Sequence, residues 1–315
     1  MSIEHIKTSN LYSYRTRIYP TLKNFKYPVS ASFEFNHEAK IIFIPLITQN
    51  YDYVFENIKK YKSKGSIIIL DYTDNHYFVK SPHQDFYQKI YNNIEIDLVI
   101  ANSVAMIDTI NKIYTGPIVQ IDEVLEVKPQ MIQTVKENNL FWFGHMTNFK
   151  FLIQKLNQWP NISFNKLIVM TRFTNEMIPE FKKIMQYYIQ KKIFKFFELY
   201  QYDPDLLIKI SKDFNKILIP GSIHDELKSN ISSNRLITAF ALGKMVAATK
   251  VKSYEQFSNY FTDIDNDKAF REFLTKDFCY EGIEKAMNNI LPNFTVQKIQ
   301  EKWEMLIKNF DYLLK

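Results

Sequence analysis

Residues 216–222, KILIPGS, and residues 232–249, SSNRLITAFALGKMVAAT, are the stretch of sequence that decides the fold. The first segment predicts a buried strand, because an apolar run leads into a turn signal at Pro220-Gly221. The second opens with polar residues suited to a helix N-cap, continues as a helix, and stops at Gly243 before another apolar strand. A strand, a helix and a strand in this order are typical of a parallel sheet.

The start of the predicted helix carries groups that suit a phosphate. A helix N-terminus offers free N–H groups and a partial positive charge. Ser232, Ser233 and Asn234 add hydroxyl and amide groups, and Arg235 adds a cation that can bind phosphate with two N–H groups. An ordinary capped helix with a solvated Arg235 fits the same residues. The sequence therefore leaves a diphosphate cradle and a plain helix cap as two interpretations.

The first half of the chain alternates strands with helices. Apolar runs bounded by turn residues predict strands at 3–8, 29–35, 40–45, 66–71, 97–101 and 117–121. Helical spacing predicts helices at 53–62, 85–92 and 103–113. This alternation indicates βαβ units and a parallel sheet.

A polar segment, residues 122–139, is predicted to link this half to a second one. Strands are then predicted at 140–143, 166–171, 194–199, 216–220 and 244–248. Helices are predicted at 149–157, 175–190, 204–211, 233–242 and 253–260, with tail helices at 278–290 and 295–314. The fold class expected is α/β, with two doubly wound, Rossmann-like parallel sheets. Ligands of such sheets bind beyond the carboxyl ends of the strands, so a cleft between the two sheets is the expected active site.

The composition excludes several classes of nucleotide-binding protein. The 315 residues include only 6 glycines, and neither GxGxxG nor GxxxxGK[ST] occurs, which argues against a standard dinucleotide-binding enzyme and a P-loop NTPase. A single cysteine, Cys279, excludes disulfide frameworks and cysteine-rich zinc sites. The six histidines show no paired metal spacing.

The charge and the apolar runs bear on partners and compartment. The formal net charge is +6. An AT-rich genome would explain this composition, and so would a function that needs attraction to phosphates or to anionic membrane surfaces. Basic residues do not alternate with aromatic ones along one face, so no nucleic-acid partner is expected. No apolar run reaches the ~20 residues that span a bilayer, and the first residues lack a signal-peptide core. We expect a cytoplasmic protein, with peripheral contact to the inner face of the membrane as an open alternative.

The deciding stretch resembles the donor-binding region of the GT-B glycosyltransferases. ILIPGS at 217–222, SNRLITAFALGKMVAAT at 233–249 and SYEQF at 253–257 are most similar to the retaining, glycosyltransferase family 4-like group, in its SNRL subgroup. There, a strand ending in Pro precedes S-x-N-R-L-x-x-A-L-A-x-G-x-P-V-V-A and a Tyr-Glu helix start. The resemblance implies transfer of a sugar from a nucleotide-sugar donor.

Other segments extend the resemblance along nearly the whole chain. LFWFGH at 140–145 is similar to the strand and loop that face the donor phosphates, and LYQY at 199–202 ends the strand that holds the base. LDYTDNH at 70–76 resembles the acceptor-side D-x-x-D-x-H loop, DLVIANS at 97–103 the D-x-V-x-A-x-S strand, and SYRTR at 13–17 the S-x-R-x-R loop.

The resemblance implies a role for particular residues. Asp74 and His76 are implied as catalytic groups, and Arg15, Arg17 and Asp71 as acceptor-side groups. The implied donor-binding residues are Gly144, His145, Arg172, Tyr202, Ser222, Ser232, Ser233, Asn234 and Arg235. For most of these residues, a surface or packing role is the structural alternative.

The sequence also departs from the family pattern. The family's E-x7-E element, whose second Glu binds the donor ribose, is not cleanly present. Asp225-Glu226 and then Asn234-Arg235 stand near its place, and Asn234 and Arg235 are expected to bind ribose and phosphate instead. Asp263-Ile264-Asp265 is a DxD sequence in a polar setting that reads as a loop. We expect no metal and no cofactor, with the nucleotide-sugar as co-substrate.

The resemblance implies an acceptor-side domain at 1–130, a donor domain at 131–294 and a C-terminal helix, 295–315, that crosses back to the first domain. The predicted activity is sugar transfer to a glycan or a lipid-linked acceptor in surface polysaccharide synthesis. A catalytically inactive homologue that acts as a scaffold, and a GT-B-fold nucleotide-sugar epimerase, are the alternatives.

Overall fold

The structure, a computed structural model, describes residues 3–6, 29–32, 35, 38–47, 49–78, 80, 83–159, 163–225, 230 and 232–313. Arg15 and Arg17, predicted on the acceptor side, lie outside the described residues, as does Glu226. The chain divides into two compact units. The first unit comprises Met1–Val124, Asp225–Ser232 and Asn293–Lys315, and the second comprises Leu125–His224 and Ser233–Pro292.

The first unit is built on a six-stranded parallel sheet in the order β2-β1-β3-β4-β5-β6. Its strands are β1 (Ile3–Ile6), β2 (Val29–Ser32), β3 (Ile41–Ile44), β4 (Ile67–Tyr72), β5 (Leu98–Ala101) and β6 (Ile118–Gln120). The central strands β3 and β5 are apolar at every position and β4 at all positions but Asp71, because layers cover both faces of a parallel sheet. Ile42 and Ile44 of β3 face one hydrophobic cluster, whereas Ile41 and Phe43 face another.

Three helices of the first unit lie against the first of these clusters. They are α1 (Tyr51–Ser63), α2 (Gln84–Asn93) and α3 (Val104–Ile110). Each buries residues at helical spacing, as α1 does with Val54, Ile58 and Tyr61. The hydroxyl of Ser103 accepts a hydrogen bond from the Met106 N–H at 3.1 Å, which confirms the predicted N-cap of α3.

The second unit is built on a six-stranded parallel sheet in the order β12-β11-β10-β7-β8-β9. Its strands are β7 (Asn139–Phe143), β8 (Phe164–Thr171), β9 (Phe194–Gln201), β10 (Lys216–Ile219), β11 (Met245–Ala248) and β12 (Thr262–Asp263). Counted within this unit, the order is 3-2-1-4-5-6, that of the doubly wound dinucleotide-binding sheet. The direction of winding reverses between β7 and β10.

The described residues of the second unit form six α-helices: α4 (Phe149–Asn157), α5 (Ile178–Gln190), α6 (Pro204–Ile210), α7 (Asn234–Ala241), α8 (Asp267–Thr275) and α9 (Tyr280–Ile290). Helix α7 has no solvated face beyond its first turn, because every residue from Leu236 to Ala241 is buried. It therefore forms part of the core, and its N-terminus is held at a fixed place.

The tail helix α10 (Val296–Leu313) closes the second face of the first sheet. Ile299, Trp303, Leu306 and Ile307 pack with Ile41, Phe43 and Ile69 in one cluster. The Trp303 ring meets the Phe43 ring edge-on, with centroids 5.2 Å apart. Within the described part of the chain, no helix combines the length and the apolar character needed to cross a membrane.

The structure differs from the predicted elements at several points, among them strand β12, which lies in a segment predicted as a loop. The segment predicted as a linker is partly core, since Val124 and Val127 are buried. Lys252–Tyr260 forms a 3-10 helix and not an α-helix. Helix α8 was not predicted, although Phe270, Phe273 and Leu274 lie at helical spacing and the Asn266 side chain caps its first turn.

We expect Trp303→Ala to destabilise the first unit by about 3–5 kcal/mol, because the substitution empties a buried aromatic site between α10 and β3. Urea unfolding followed by circular dichroism measures this loss. Met305→Ala on the same helix is the control, since Met305 is 67% exposed, and we expect a change within about 0.5 kcal/mol. Equal stability of the two variants would contradict the packing of α10 on the sheet.

Candidate functional site

The strongest candidate site lies at the carboxyl edge of the second sheet, where the strand order reverses between β7 and β10. In sheets of this order, the chain leaves the two neighbouring strands at the reversal toward opposite faces of the sheet. Ligands bind in the crevice between the two loops. Gly144 directly follows β7, and Gly221 closely follows β10, before helix α7. The pairing of β10 with β7 in register keeps these two loops side by side.

The guanidinium group of Arg235 lies against Gly144. A Cβ atom placed on Gly144 would lie 3.0 Å from Nη1 of Arg235, so a side chain here would crowd the guanidinium group, and glycine avoids this contact. Nη1 is buried and has no hydrogen-bond partner among the described residues. A buried N–H donor without a partner is costly, and a ligand anion at this edge would satisfy it.

The first turn of α7 provides further donors beside Arg235. Ser233 and Asn234 are buried at this end of the helix. Ser233 occupies the N-cap position but its side chain makes no capping hydrogen bond, contrary to the interpretation as a plain capped helix. The hydroxyl of Ser233 therefore leaves the first N–H groups of α7 to other acceptors.

Neighbouring loops are held by hydrogen bonds that sequence reasoning missed. Thr171 Oγ1, at the end of β8, donates to the Gly144 carbonyl at 2.7 Å. The Gly221 N–H donates to Thr249 Oγ1, after β11, at 2.9 Å. Ser222, a predicted donor-binding residue, accepts a hydrogen bond from the His224 N–H at 3.2 Å through its hydroxyl. Both threonines fix the backbone of the glycines that flank the reversal.

The remaining predicted residues of this unit follow β7, β8 and β9. His145 is exposed, and its Nδ1 lies 3.0 Å from Thr147 Oγ1. Arg172 is exposed at the end of β8. Tyr202 follows β9, and its hydroxyl is hydrogen-bonded to the carboxylate of Glu126, a partner that was not predicted. The carboxylate fixes the ring that was predicted to stack on a nucleotide base.

Ser232 is separated from the rest of the predicted donor set. It belongs to the first unit, where its hydroxyl donates to Glu123 Oε2 at 3.0 Å. Asn230 is anchored in the same unit, because its amide donates to Thr109 Oγ1 at 2.8 Å and its carbonyl accepts from Ser103 Oγ at 3.3 Å. The donor-binding role of Ser232 stays a prediction.

In the first unit, Asp71, Asp74 and His76 occupy the end of β4 and the loop after it. Asp71 and His76 are buried. Nε2 of His76 lies 3.8 Å from Oδ2 of Asp74. The His76 ring stacks on Tyr87, with centroids 5.8 Å apart. The loop thus brings together the two groups predicted to be catalytic.

A second histidine, His83, joins this loop, although the sequence indicated no role for it. Its ring meets His76 edge-on, with centroids 4.8 Å apart, and its Nδ1 lies 2.6 Å from the hydroxyl of Tyr51. Burial lowers the pKa of His83, and Asp74 partly opposes this effect. The neutral ring is therefore favoured. In the tautomer that carries its proton on Nε2, Nδ1 accepts a hydrogen bond from the Tyr51 hydroxyl.

The DxD sequence is engaged in local structure. Asp263 lies in β12 and accepts a hydrogen bond from the Asp265 N–H at 3.0 Å, while Asp265 pairs with Lys155. Among the described residues, no group of three or more His, Cys, Asp or Glu side chains is arranged to hold a metal ion.

Comparison with known proteins finds the fold in solved structures. No protein family matches the sequence, and no curated protein matches it. HepE from Anabaena, in complex with UDP and glucose, is 13% identical over 98% of this chain and 100% of its own, with a TM-score of 0.70. The lipopolysaccharide outer core galactosyltransferase WaaB is 11% identical over 98% and 99%, with a TM-score of 0.65. The chain has the GT-B fold.

TarM is a third similar structure, at 18% identity and a TM-score of 0.60. The match covers 84% of this chain and 53% of TarM, so the chain spans about half the length of that protein. At these identities the likeness concerns the fold. It confirms the predicted class, two parallel-sheet α/β units of GT-B type.

We expect Tyr51→Phe to raise the pKa of His83, because the substitution removes the donor that stabilises the neutral ring. NMR titration of the histidine side chains measures this change. Tyr53→Phe is the matched control on α1, since Tyr53 is 59% exposed, and it should leave His83 unchanged. An unchanged or lower pKa of His83 in Tyr51→Phe would show that the tyrosine does not donate to the ring.

Proposed function

We propose that the chain is a glycosyltransferase that moves a sugar from a nucleotide-sugar donor to a glycan or lipid-linked acceptor. The observation that carries this proposal is the half-buried Arg235 beside Gly144, whose buried Nη1 lacks a hydrogen-bond partner among the described residues, at the strand reversal of a GT-B fold. The structures of HepE and of TarM from S. aureus that contain UDP suggest a uridine diphosphate leaving group.

The donor diphosphate is proposed to lie at the start of α7. Arg235 would contact one phosphate with its guanidinium fork, and the N–H groups of the first turn of α7 would bind the other. Gly144 lets the ligand and the arginine approach the backbone closely. Arg172 and His145, exposed after neighbouring strands, are the further candidates for phosphate contact, and Tyr202 for contact with the base.

These groups would act mainly on the leaving group. Cleavage of the bond between the sugar and the diphosphate leaves additional negative charge on the diphosphate, and prearranged donors stabilise this charge in the transition state. Arginine and helix N–H groups do this without a metal, so we propose metal-independent transfer with no cofactor other than the co-substrate.

On the acceptor side, Asp74 and His76 are the proposed catalytic groups. The carboxylate of Asp74 lies 3.8 Å from Nε2 of His76, within ion-pair distance of a protonated imidazole. A neutral imidazole can accept a proton from an acceptor hydroxyl or hydrogen-bond the reacting sugar. Asp71, Arg15 and Arg17 are proposed to contribute to acceptor binding.

The finer assignments rest on the sequence resemblance. The SNRL pattern suggests the family 4-like group, and with it retention of the anomeric configuration. WaaB, described as a lipopolysaccharide galactosyltransferase, makes surface polysaccharide synthesis a suitable context. The replaced Glu element favours an inactive scaffold protein as the second candidate, because one expected ribose ligand is missing.

The first test of the proposal is nucleotide binding by the intact chain. We expect UDP to bind and Arg235→Ala to weaken binding at least tenfold, since a charge-assisted contact of about 1.5–3 kcal/mol is lost. Isothermal titration calorimetry with UDP, GDP, CMP and ADP measures this. Lys182→Ala, which removes an exposed lysine on α5, is the control and should leave nucleotide affinity unchanged.

Absence of binding for all four nucleotides would overturn the enzyme proposal. Binding that Arg235→Ala leaves intact would overturn the assignment of the phosphate site. A nucleotide-binding chain that turns over no donor sugar, either to an acceptor or to water, would favour the scaffold. Activity that EDTA abolishes and Mn²⁺ restores would contradict metal-independent transfer.

A further inference from the structure

A cavity of about 800 Å³ opens at the amino edge of the second sheet, opposite to the candidate nucleotide site. Residues 134–138, just before β7, form one wall. The start of β10 and the carboxyl end of α8 form other walls. Its volume falls within the range of small-molecule sites, about 300–1,000 Å³. None of the residues assigned to nucleotide binding lines it.

The lining of this cavity has an excess of positive charge. Four cationic side chains contribute to it, Lys136, Lys216, Arg271 and Lys276, against the carboxylates of Glu137 and Asp277. Among the described residues, no carboxylate lies within the 4.0 Å ion-pair distance of any of these cations. Four cations without ion pairs at one cavity favour an anionic ligand.

The carboxylate of Glu137 is engaged elsewhere. Its Oε2 accepts hydrogen bonds from the amides of Asn139 at 3.0 Å and Asn165 at 3.4 Å. These hydrogen bonds engage Oε2 of Glu137, and the lining keeps four cations against two carboxylates. The cavity therefore keeps its positive potential.

Lys216 is the buried member of this set. It is only 7% exposed, and its Nζ donates to the Leu274 carbonyl at the end of α8, at 2.7 Å. An ammonium group has three N–H donors, and this is the one hydrogen bond that Lys216 makes to the described residues. Burial lowers the pKa of Lys216, and the nearby carboxylate of Asp277 partly opposes this effect.

The wall that faces Lys216 is held in place by the neighbouring Asn215. The Val135 N–H donates to Asn215 Oδ1 at 2.8 Å, and the Asn215 amide donates back to the Val135 carbonyl. This reciprocal pair ties residues 134–138 to the start of β10. The cavity is thus formed before a ligand arrives, which lowers the entropic cost of binding.

We propose that this cavity is a second ligand site, specific for a molecule that carries two or more phosphate groups. Buried Lys216 would bind one phosphate with its remaining N–H groups. Arg271 would grip another with its guanidinium fork, and Lys136 and Lys276 would add attraction from the rim. Either a free phosphorylated metabolite or the headgroup of an anionic phospholipid supplies this chemistry.

Calorimetric titration of the full chain with tripolyphosphate tests the site. We expect a binding event that Arg271→Gln weakens about tenfold or more and that persists in Arg235→Ala, which removes binding at the proposed nucleotide site only. Lys216→Met, which keeps the volume and removes the charge, should weaken it similarly. Because Lys216 is buried, the unfolding temperature of this variant is measured in parallel. The exposed Arg271 provides the second, structurally mild variant.

Vesicles distinguish the two sources of phosphate. Sedimentation with cardiolipin vesicles, whose headgroup carries two phosphates, that Arg271→Gln abolishes in the absence of tripolyphosphate binding identifies a lipid headgroup as the occupant. Binding of neither probe would overturn the site. Binding that Arg235→Ala removes and Arg271→Gln preserves would also overturn it, because the phosphate would then sit at the nucleotide site. Since no nucleotide is used, the result is independent of the proposed transferase activity.

Discussion

The parallel pairing of β10 with β7 is the constraint on which the candidate site depends. Because all strands of the second sheet run the same way, every loop that follows a strand emerges at one edge. The reversal of strand order separates the loops after β7 and β10, and β10 leads into α7. Hydrogen bonds between these two strands thus set the distance from Gly144 to Arg235, although 90 residues of chain lie between them.

The packing of α7 turns this topology into a fixed position for one charged group. Arg235 is the second residue of a helix whose next six residues are all buried, so the backbone that carries the guanidinium cannot move without disturbing the core. Gly144 supplies the space, and Thr171 holds the Gly144 carbonyl. The positioning is thus shared between apolar packing and a few short hydrogen bonds, which is the usual basis of a preorganised anion site.

Local sequence signals predicted most elements, because apolar runs, caps and glycines report directly on strands and helices. Ser103 at the start of α3 and Gly243 after α7 are examples. What the sequence did not indicate depends on contacts between distant residues. Tyr51 meets His83 across 32 positions, and Tyr202 meets Glu126 across 76. The membership of Ser232 in the first unit likewise follows from a bond to Glu123, which no spacing in the sequence reveals.

The position of α10 in the chain has a consequence for the order of folding. Ile41, Phe43 and Ile69 form an apolar surface that is covered by Ile299, Trp303 and Ile307. During synthesis the ribosome makes the whole second unit before it makes this cover. The nascent first unit therefore exposes one side of its sheet while the second unit, formed mainly of later segments, emerges. An exposed apolar surface binds chaperones and promotes aggregation. The first unit is therefore exposed to aggregation until α10 has been synthesised and has packed on the sheet.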